Sequence, residues 1–155
     1  MNEVWKKPPI PLDAYMKMVG HEVGVSSWHL VDQNRINVYA DVIEDHQFIH
    51  VDPEAARQTP FGQTIAHGFL TLILLPRLKT PQGYEITGFN NMLNYGSDKL
   101  RFTGAVPTGS RIHARNRVKS IERLPKGTRF TLEQNVHVVG QERPALVYEL
   151  VFIYQ

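Results

Sequence analysis

Residues 44–53 read EDHQFIHVDP, placing the carboxylate of Asp45 five residues before the imidazole of His50. An acid and a histidine can pass protons between them near neutral pH, and they can also ligate a metal or decorate a surface. Residues five apart on an unbroken helix are rotated by about 140°, so these two share a face only where the helix ends and the chain turns back. The lack of clean periodicity through HQFIHV allows such a turn, with Phe48 and Ile49 expected to anchor it in the core. The plain alternative makes Asp45 a helix end and His50 a hydrogen-bonded turn residue. A metal alternative draws on His46 and His50, four apart, with Asp52 and His67 nearby. It requires a regular helix through residues 46–50 and lacks the H-E-x-x-H pattern, and it is incompatible with the bend the Asp45 reading needs.

The elements that would position these residues follow from punctuation and periodicity. Residues 1–11, with Pro8, Pro9 and Pro11, read as an extended lead-in, and a short helix over Leu12 to Val19 stops at Gly20. GVSSWHLVD suits one strand ending at Asp32, which then caps a helix to about Glu44 with Ile36, Tyr39, Ala40 and Ile43 on its apolar stripe. Asp52-Pro53-Glu54 opens another short helix, and TPFG is a turn. From Thr64 to Leu78 apolar residues are nearly continuous, which predicts a helix buried on nearly every side. From Thr87 the texture is β, with RIHARNRVKSIERL, TRFTLEQNVHVV and ALVYELVFIY as long strands. Turns are expected at Tyr95-Gly96-Ser97, Val106 to Gly109, Pro125-Lys126-Gly127 and Gly140-Gln141-Glu142. The expected class is α+β, one apolar helix with an antiparallel sheet curled around it.

Composition narrows the chemistry. The 155 residues suit a single domain with a real core. No cysteine is present, which excludes disulfides, thiolate catalysis and zinc–thiolate sites. A net charge of +2 without a Lys/Arg block argues against a nucleic-acid face. No segment reaches the ~18 apolar residues a membrane span needs, nor is there a signal-peptide run, so the cytoplasm is expected.

Asp45-His46-Gln47-Phe48-Ile49-His50-Val51-Asp52-Pro53, followed by Phe61-Gly62 and Ile65-Ala66-His67-Gly68-Phe69-Leu70, resembles the hydratase motif of MaoC-like proteins. The Gln and aromatic where other members have Asn-Pro, and the later Leu93-Asn94-Tyr95-Gly96 stretch, resemble the NodN-like branch. The likeness runs from about Gly20 to the last strand. Glu44 departs from it, since the family usually carries Gly before the Asp; a second carboxylate there either acts on Asp45 or points to water.

The resemblance implies a hotdog fold and an (R)-specific enoyl-CoA hydratase or 3-hydroxyacyl-CoA dehydratase. Hydration of an α,β-unsaturated thioester needs a base for water, an acid for the α-carbon and a donor for the thioester oxygen. Asp45 and His50 are expected to handle the protons, and the backbone N–H of Gly68, opening the buried helix, to hold the oxyanion. Gln47, Phe48, His67, Asn94 and Tyr95 are candidates for substrate contact, although His67 reads more readily as a structural donor and Asn94 and Tyr95 equally as strand-end residues. Asp52 reads as an N-cap, Thr64 as a cap or turn residue, Lys99 and Arg101 as solvated cations rather than phosphate ligands, and His21, His29, His113 and His137 as scattered and carrying no signal. No cofactor is expected, coenzyme A being part of the substrate; acyl carrier protein is the alternative carrier. Pairing of exposed sheet edges predicts a homodimer. A hotdog thioesterase or a non-catalytic acyl-thioester-binding module is the alternative function.

Overall fold

A computed structural model describes residues 9–78 and 85–155, so the first eight residues of the expected lead-in lie outside the described residues. The first described elements are β1 (Pro9–Pro11), α1 (Leu12–Tyr15) with a 3-10 turn over Met16–Met18, β2 (Glu22–Val25) and β3 (His29–Val31). Four helices follow: α2 (Gln33–Ile43), α3 (Phe48–Val51), α4 (Pro53–Ala56) and α5 (Gly68–Ile73). The rest is strand: β4 (Glu85–Thr87), β5 (Met92–Phe102), β6 (Ser110–Leu124), β7 (Gly127–Val138) and β8 (Leu146–Tyr154). Six strands make an antiparallel sheet in the order β2-β6-β7-β8-β5, with β3 also pairing β6, while β1 and β4 pair in parallel beside it.

Alternation along the strands decides which face of the sheet is covered. Ile112, Ala114 and Val118 of β6, Phe130, Val136 and Val138 of β7 and Leu146 of β8 are buried. At one end of this face Ile36 of α2 and Leu70 of α5 pack with Leu75 and Leu78 over Ala114, Val136 and Leu146. At the other end Tyr15 and Val23 pack over Val118, Phe130 and Tyr154. The β6–β7 hairpin turns on Pro125-Lys126, and Gly127 is obligatory there: its φ is +137°, and a Cβ would fall 2.4 Å from the Tyr154 carbonyl oxygen.

Caps behave as their side chains dictate. Asp32 Oδ1 accepts from Arg35 N at 2.9 Å, and Asp52 Oδ1 accepts from Glu54 N and Ala55 N at 3.0 Å, with Pro53 in the first turn of α4. Several expectations need correction. GVSSWHLVD is not one strand; the chain breaks at Ser26, whose Oγ accepts from Ala114 N. The Tyr95-Gly96-Ser97 turn is instead a pair of register shifts inside β5. The apolar run from Thr64 makes a helix of only six residues, because Pro76 cannot supply an N–H to continue it, and Leu74 to Leu78 form tight turns. Nor is that helix buried all round: Leu70 and Thr71 are buried, whereas Phe69 and Ile73 are exposed.

Candidate active site

Helix α2 stops at Glu44, which adopts the left-handed conformation (φ 56°, ψ 29°), and the amide of Asp45 still reaches back to the Ala40 carbonyl at 3.1 Å. Glycine favours such a C-terminal position because it has no Cβ to clash. The Gly that the resemblance implies at this position would have a conformational reason, and Glu44 holds that geometry at a steric cost with its side chain exposed. After the reversal Asp45 Oδ1 accepts from Gln47 N at 3.2 Å, α3 begins at Phe48, and His50 N donates to the Gln47 carbonyl at 2.9 Å. The helix is thus broken where convergence of Asp45 and His50 requires it to be.

His50 is buried and held from two sides. Its backbone carbonyl accepts from Gln33 Nε2 at 2.7 Å, while Gln33 Oε1 accepts from the hydroxyls of Thr64 at 2.5 Å and Thr108 at 3.3 Å. On the ring, Nδ1 lies 2.7 Å from the carbonyl oxygen of Ile65. A carbonyl only accepts, so Nδ1 carries the proton and Nε2 presents a lone pair.

His67 approaches from the start of α5. Its Nε2 donates to the Asp45 carbonyl at 3.0 Å and lies 3.9 Å from Asp45 Oδ2. Its ring stacks on that of His50 with centroids 3.7 Å apart and meets Tyr39 edge-on at 5.1 Å. One oxygen of Asp45 and one ring nitrogen from each histidine lie within 4.8 Å of one another. That separation suits a single bridging water. Burial holds the His67 ring below its usual 6.5, outweighing the hydrogen bond to the Asp45 carbonyl. Its Nδ1 is buried without a partner, so a second proton there would have no acceptor.

The trio has the composition of a metal site but not its geometry. Two imidazoles stacked 3.7 Å apart with planes 25° from parallel confine their ring lone pairs to two separate layers, and a single ion cannot lie in both ring planes beside them. The set His46, His50, Asp52 and His67 is not assembled either. His46 is exposed and bonds Asp41 at 2.8 Å, and Asp52 is engaged as a cap.

Gly68 is the first residue of α5, and its N–H has no acceptor within the helix. A Cβ on Gly68 would lie 3.0 Å from the Phe102 ring, so the backbone here runs hard against β5. Alongside the C-terminal half of α5 lies a cavity of about 520 Å³. Leu72, Leu75 and Pro76 form one wall, the sheet residues Leu132, Leu150 and Phe152 the other.

The remaining candidates divide. Asn94 lines that cavity, whereas Tyr95 is 70% exposed. Gln47 is exposed and contributes backbone; Phe48 is 52% exposed and does not anchor the turn in the core as expected. Lys99 and Arg101 are exposed, Arg101 donating to the Leu100 carbonyl. Thr64 is neither cap nor turn residue but a buried member of the Gln33 bracket. Gln33 and Thr108 left no mark in the sequence, because an amide after an N-cap and a threonine after a proline are ordinary. His113 and His137 are not scattered: they face each other across β6 and β7, with Trp28 stacked on His113 at 4.0 Å.

Comparison with known proteins places this chain in a family. Residues 15–139 match the model of the MaoC like domain. The 3-hydroxyacyl-thioester dehydratase Z of Mycobacterium tuberculosis is 46% identical over 136 residues, which span 87% of this chain and 89% of that protein. Nodulation protein N of Rhizobium meliloti is 42% identical over 149 residues, covering 94% of this chain and 92% of its own. Among solved structures, an (R)-hydratase from A. caviae involved in PHA biosynthesis superposes with a TM-score of 0.67 at 25% identity, over 86% of this chain and 96% of that one. With the bent acid–histidine motif, the glycine that opens α5 and matches of this extent, the chain belongs to the MaoC-like dehydratase family, in the branch that includes nodulation protein N.

Proposed function

We propose that this protein is an (R)-specific hydro-lyase that adds water reversibly, with syn geometry, to trans-2-enoyl thioesters and dehydrates the corresponding 3-hydroxyacyl thioesters. One observation carries the reading: Asp45 and His50 converge to water-bridging distance at the start of α5, in a chain 46% identical to a 3-hydroxyacyl-thioester dehydratase.

The bare Nε2 of His50 and the Asp45 carboxylate hold one water between them. As the water oxygen bonds to Cβ, the pair takes one of its protons, and negative charge moves to the thioester oxygen. The Gly68 N–H, unclaimed by the helix and at the positive end of its dipole, stabilises that charge. The same proton then returns to Cα, so water is consumed and the pair ends as it began. His50 can do this because the Ile65 carbonyl fixes its tautomer. Dehydration is the same path reversed. No step calls on a metal or a cofactor, and coenzyme A or acyl carrier protein enters only as the thioester carrier. The cavity beside α5 receives the acyl chain.

The working form is a homodimer. β5 ends the six-stranded sheet and exposes Met92, Leu93, Tyr95 and Phe102, while Phe69 and Ile73 of α5 are exposed beside it. An apolar edge of that length is a liability unless it is paired. The cytoplasm suits a substrate of this kind, and among the described residues no helix is long and apolar enough to cross a membrane.

Incubation with crotonyl-CoA and longer trans-2-enoyl-CoA esters tests the reaction. Loss of enoyl absorbance without free thiol, giving the (R)-3-hydroxyacyl product, is expected. Release of free thiol would make the protein a thioesterase, and no turnover of any ester would leave a binding module.

A further inference from the structure

The cavity beside α5 is not uniformly apolar, and the strand register shows how its polar part is laid out. Asn116 of β6, Gln134 of β7 and Tyr148 of β8 are direct cross-strand neighbours, so their side chains form one row across three strands. The rows on either side are Ala114–Val136–Leu146 and Val118–Leu132–Leu150, without a polar atom in any side chain. A hydrogen-bonding stripe thus lies between two apolar rows of this face. Gln134 and Tyr148 both line the cavity, and Asn94 adds a second amide from β5. Gln134 Nε2 donates one hydrogen to Asn116 Oδ1 at 3.0 Å, with both residues buried. An amide has two N–H bonds and a carbonyl, so one bond leaves it with capacity to spare. Burial raises the Tyr148 phenol above its usual 10.0, outweighing its hydrogen bond with Ser97, and the group is an O–H at any working pH.

A cross-strand amide pair can serve simply to hold register, but register needs no phenol and no second amide facing a 520 Å³ cavity. A saturated alkyl tail laid across the stripe would strip these groups of water and return no hydrogen bond. A tail bearing an oxygen at that depth would satisfy them. The groups are all uncharged, which favours a neutral hydroxyl or keto substituent over a carboxylate.

We infer that Gln134 and Tyr148 are specificity-determining residues that select acyl thioesters carrying a neutral oxygen substituent along the chain. The inference rests on the hydratase reading above. The cavity lining starts at Leu72, four residues and about 6 Å along α5 from Gly68, and crotonyl carries no oxygen substituent along its chain, so it serves as the reference ester.

The test compares kcat/KM for hydration of trans-2-octenoyl-CoA with that of its 5-, 6- and 7-hydroxy derivatives, using crotonyl-CoA to normalise each variant. At least one hydroxy ester is expected to exceed the parent by about tenfold or more, and Gln134→Leu to reduce that ratio by about tenfold. Tyr148→Phe removes one oxygen only and should lower the ratio in the same direction, which keeps the test sound should Gln134→Leu fold poorly. A wild-type preference for the unsubstituted ester over all three derivatives overturns the inference, as does a ratio unmoved by both substitutions, while crotonyl-CoA hydration leaves the hydratase reading standing. Failure to turn over crotonyl-CoA and all four octenoyl esters overturns both.

Discussion

His50 and His67 lie ring on ring, centroids 3.7 Å apart and planes 25° apart, with His67 also donating to the backbone carbonyl of Asp45. The second histidine therefore touches both halves of the acid–base pair: one by stacking, the other through its backbone. Two imidazoles this close disfavour a shared positive charge, and a neutral His67 leaves His50 free to accept a proton.

His67→Ala removes that support without removing either proton carrier. A fall in kcat of about tenfold or more is expected, with a smaller change in KM and a displaced pH–rate profile, because the position and the electrostatics of His50 both change. His67→Asn, which can still donate to the Asp45 carbonyl, should recover part of the loss. Steady-state kinetics across pH checks this, and parent-like profiles in both variants would rule out the positioning role.

Asp45→Asn and His50→Gln should each cost at least about 10²-fold in kcat while circular dichroism stays unchanged. An Asp45→Asn side chain can still accept from Gln47 N, and a His50→Gln amide can still donate to the Ile65 carbonyl. Activity within tenfold of the parent in either variant would contradict the assigned roles.

Glu44 is the one non-glycine with positive φ among the described residues, and its side chain is exposed. Glu44→Gly should raise stability by about 1 kcal/mol in urea unfolding, the relief of left-handed strain exceeding the extra chain entropy of glycine. A loss of stability would mean that the carboxylate makes up for its backbone.

Burial depresses the pKa of His67, His113 and His137 below 6.5; mutual charge adds to the effect at His113, and nearby Arg115 at both His113 and His137. Below 6.5 the unfolded chain takes up protons that these folded sites refuse, so stability is full above that pH and declines as pH falls through the lower folded values. The unfolding midpoint should therefore drop from pH 7.5 to pH 5. Replacing His113 and His137 together by Gln should flatten the slope, and an unchanged slope would assign the acid sensitivity to other groups.

Phe69 is 57% exposed on α5 and meets Phe102 of β5 edge-on at 5.3 Å, both on the face assigned to the dimer. Phe69→Glu should convert a dimer to monomer in sedimentation velocity, since a carboxylate within an apolar interface goes unpaired. A parent protein that sediments as a monomer would refute the interface.

Much of this protein is legible in its chain because its local signals agree with its tertiary contacts. Alternation along residues 110–154 sets three strands and the face each buries, and Asp32, Asp52 and Pro53 open helices by chemistry carried within one turn. The candidate acid–base pair was legible for the same reason: a broken period between Asp45 and His50 is a local property. The length of α5 was not, since an apolar run reports that residues avoid water but not whether a helix, a turn or a second subunit covers them, and Pro76 settled the helix early. Phe48 is exposed for a similar reason, hydrophobicity alone being silent about direction. Only the packed structure could bring Gln33, Thr64 and Thr108 around His50, or stack His67 upon it, because those partners are separated by 17 to 75 positions and meet only when α2, α3 and the segments before α5 and β6 pack together. Sequence thus settled which groups are present and where the chain must bend; the closing of the sheet over α2 and α5 settled what those groups face.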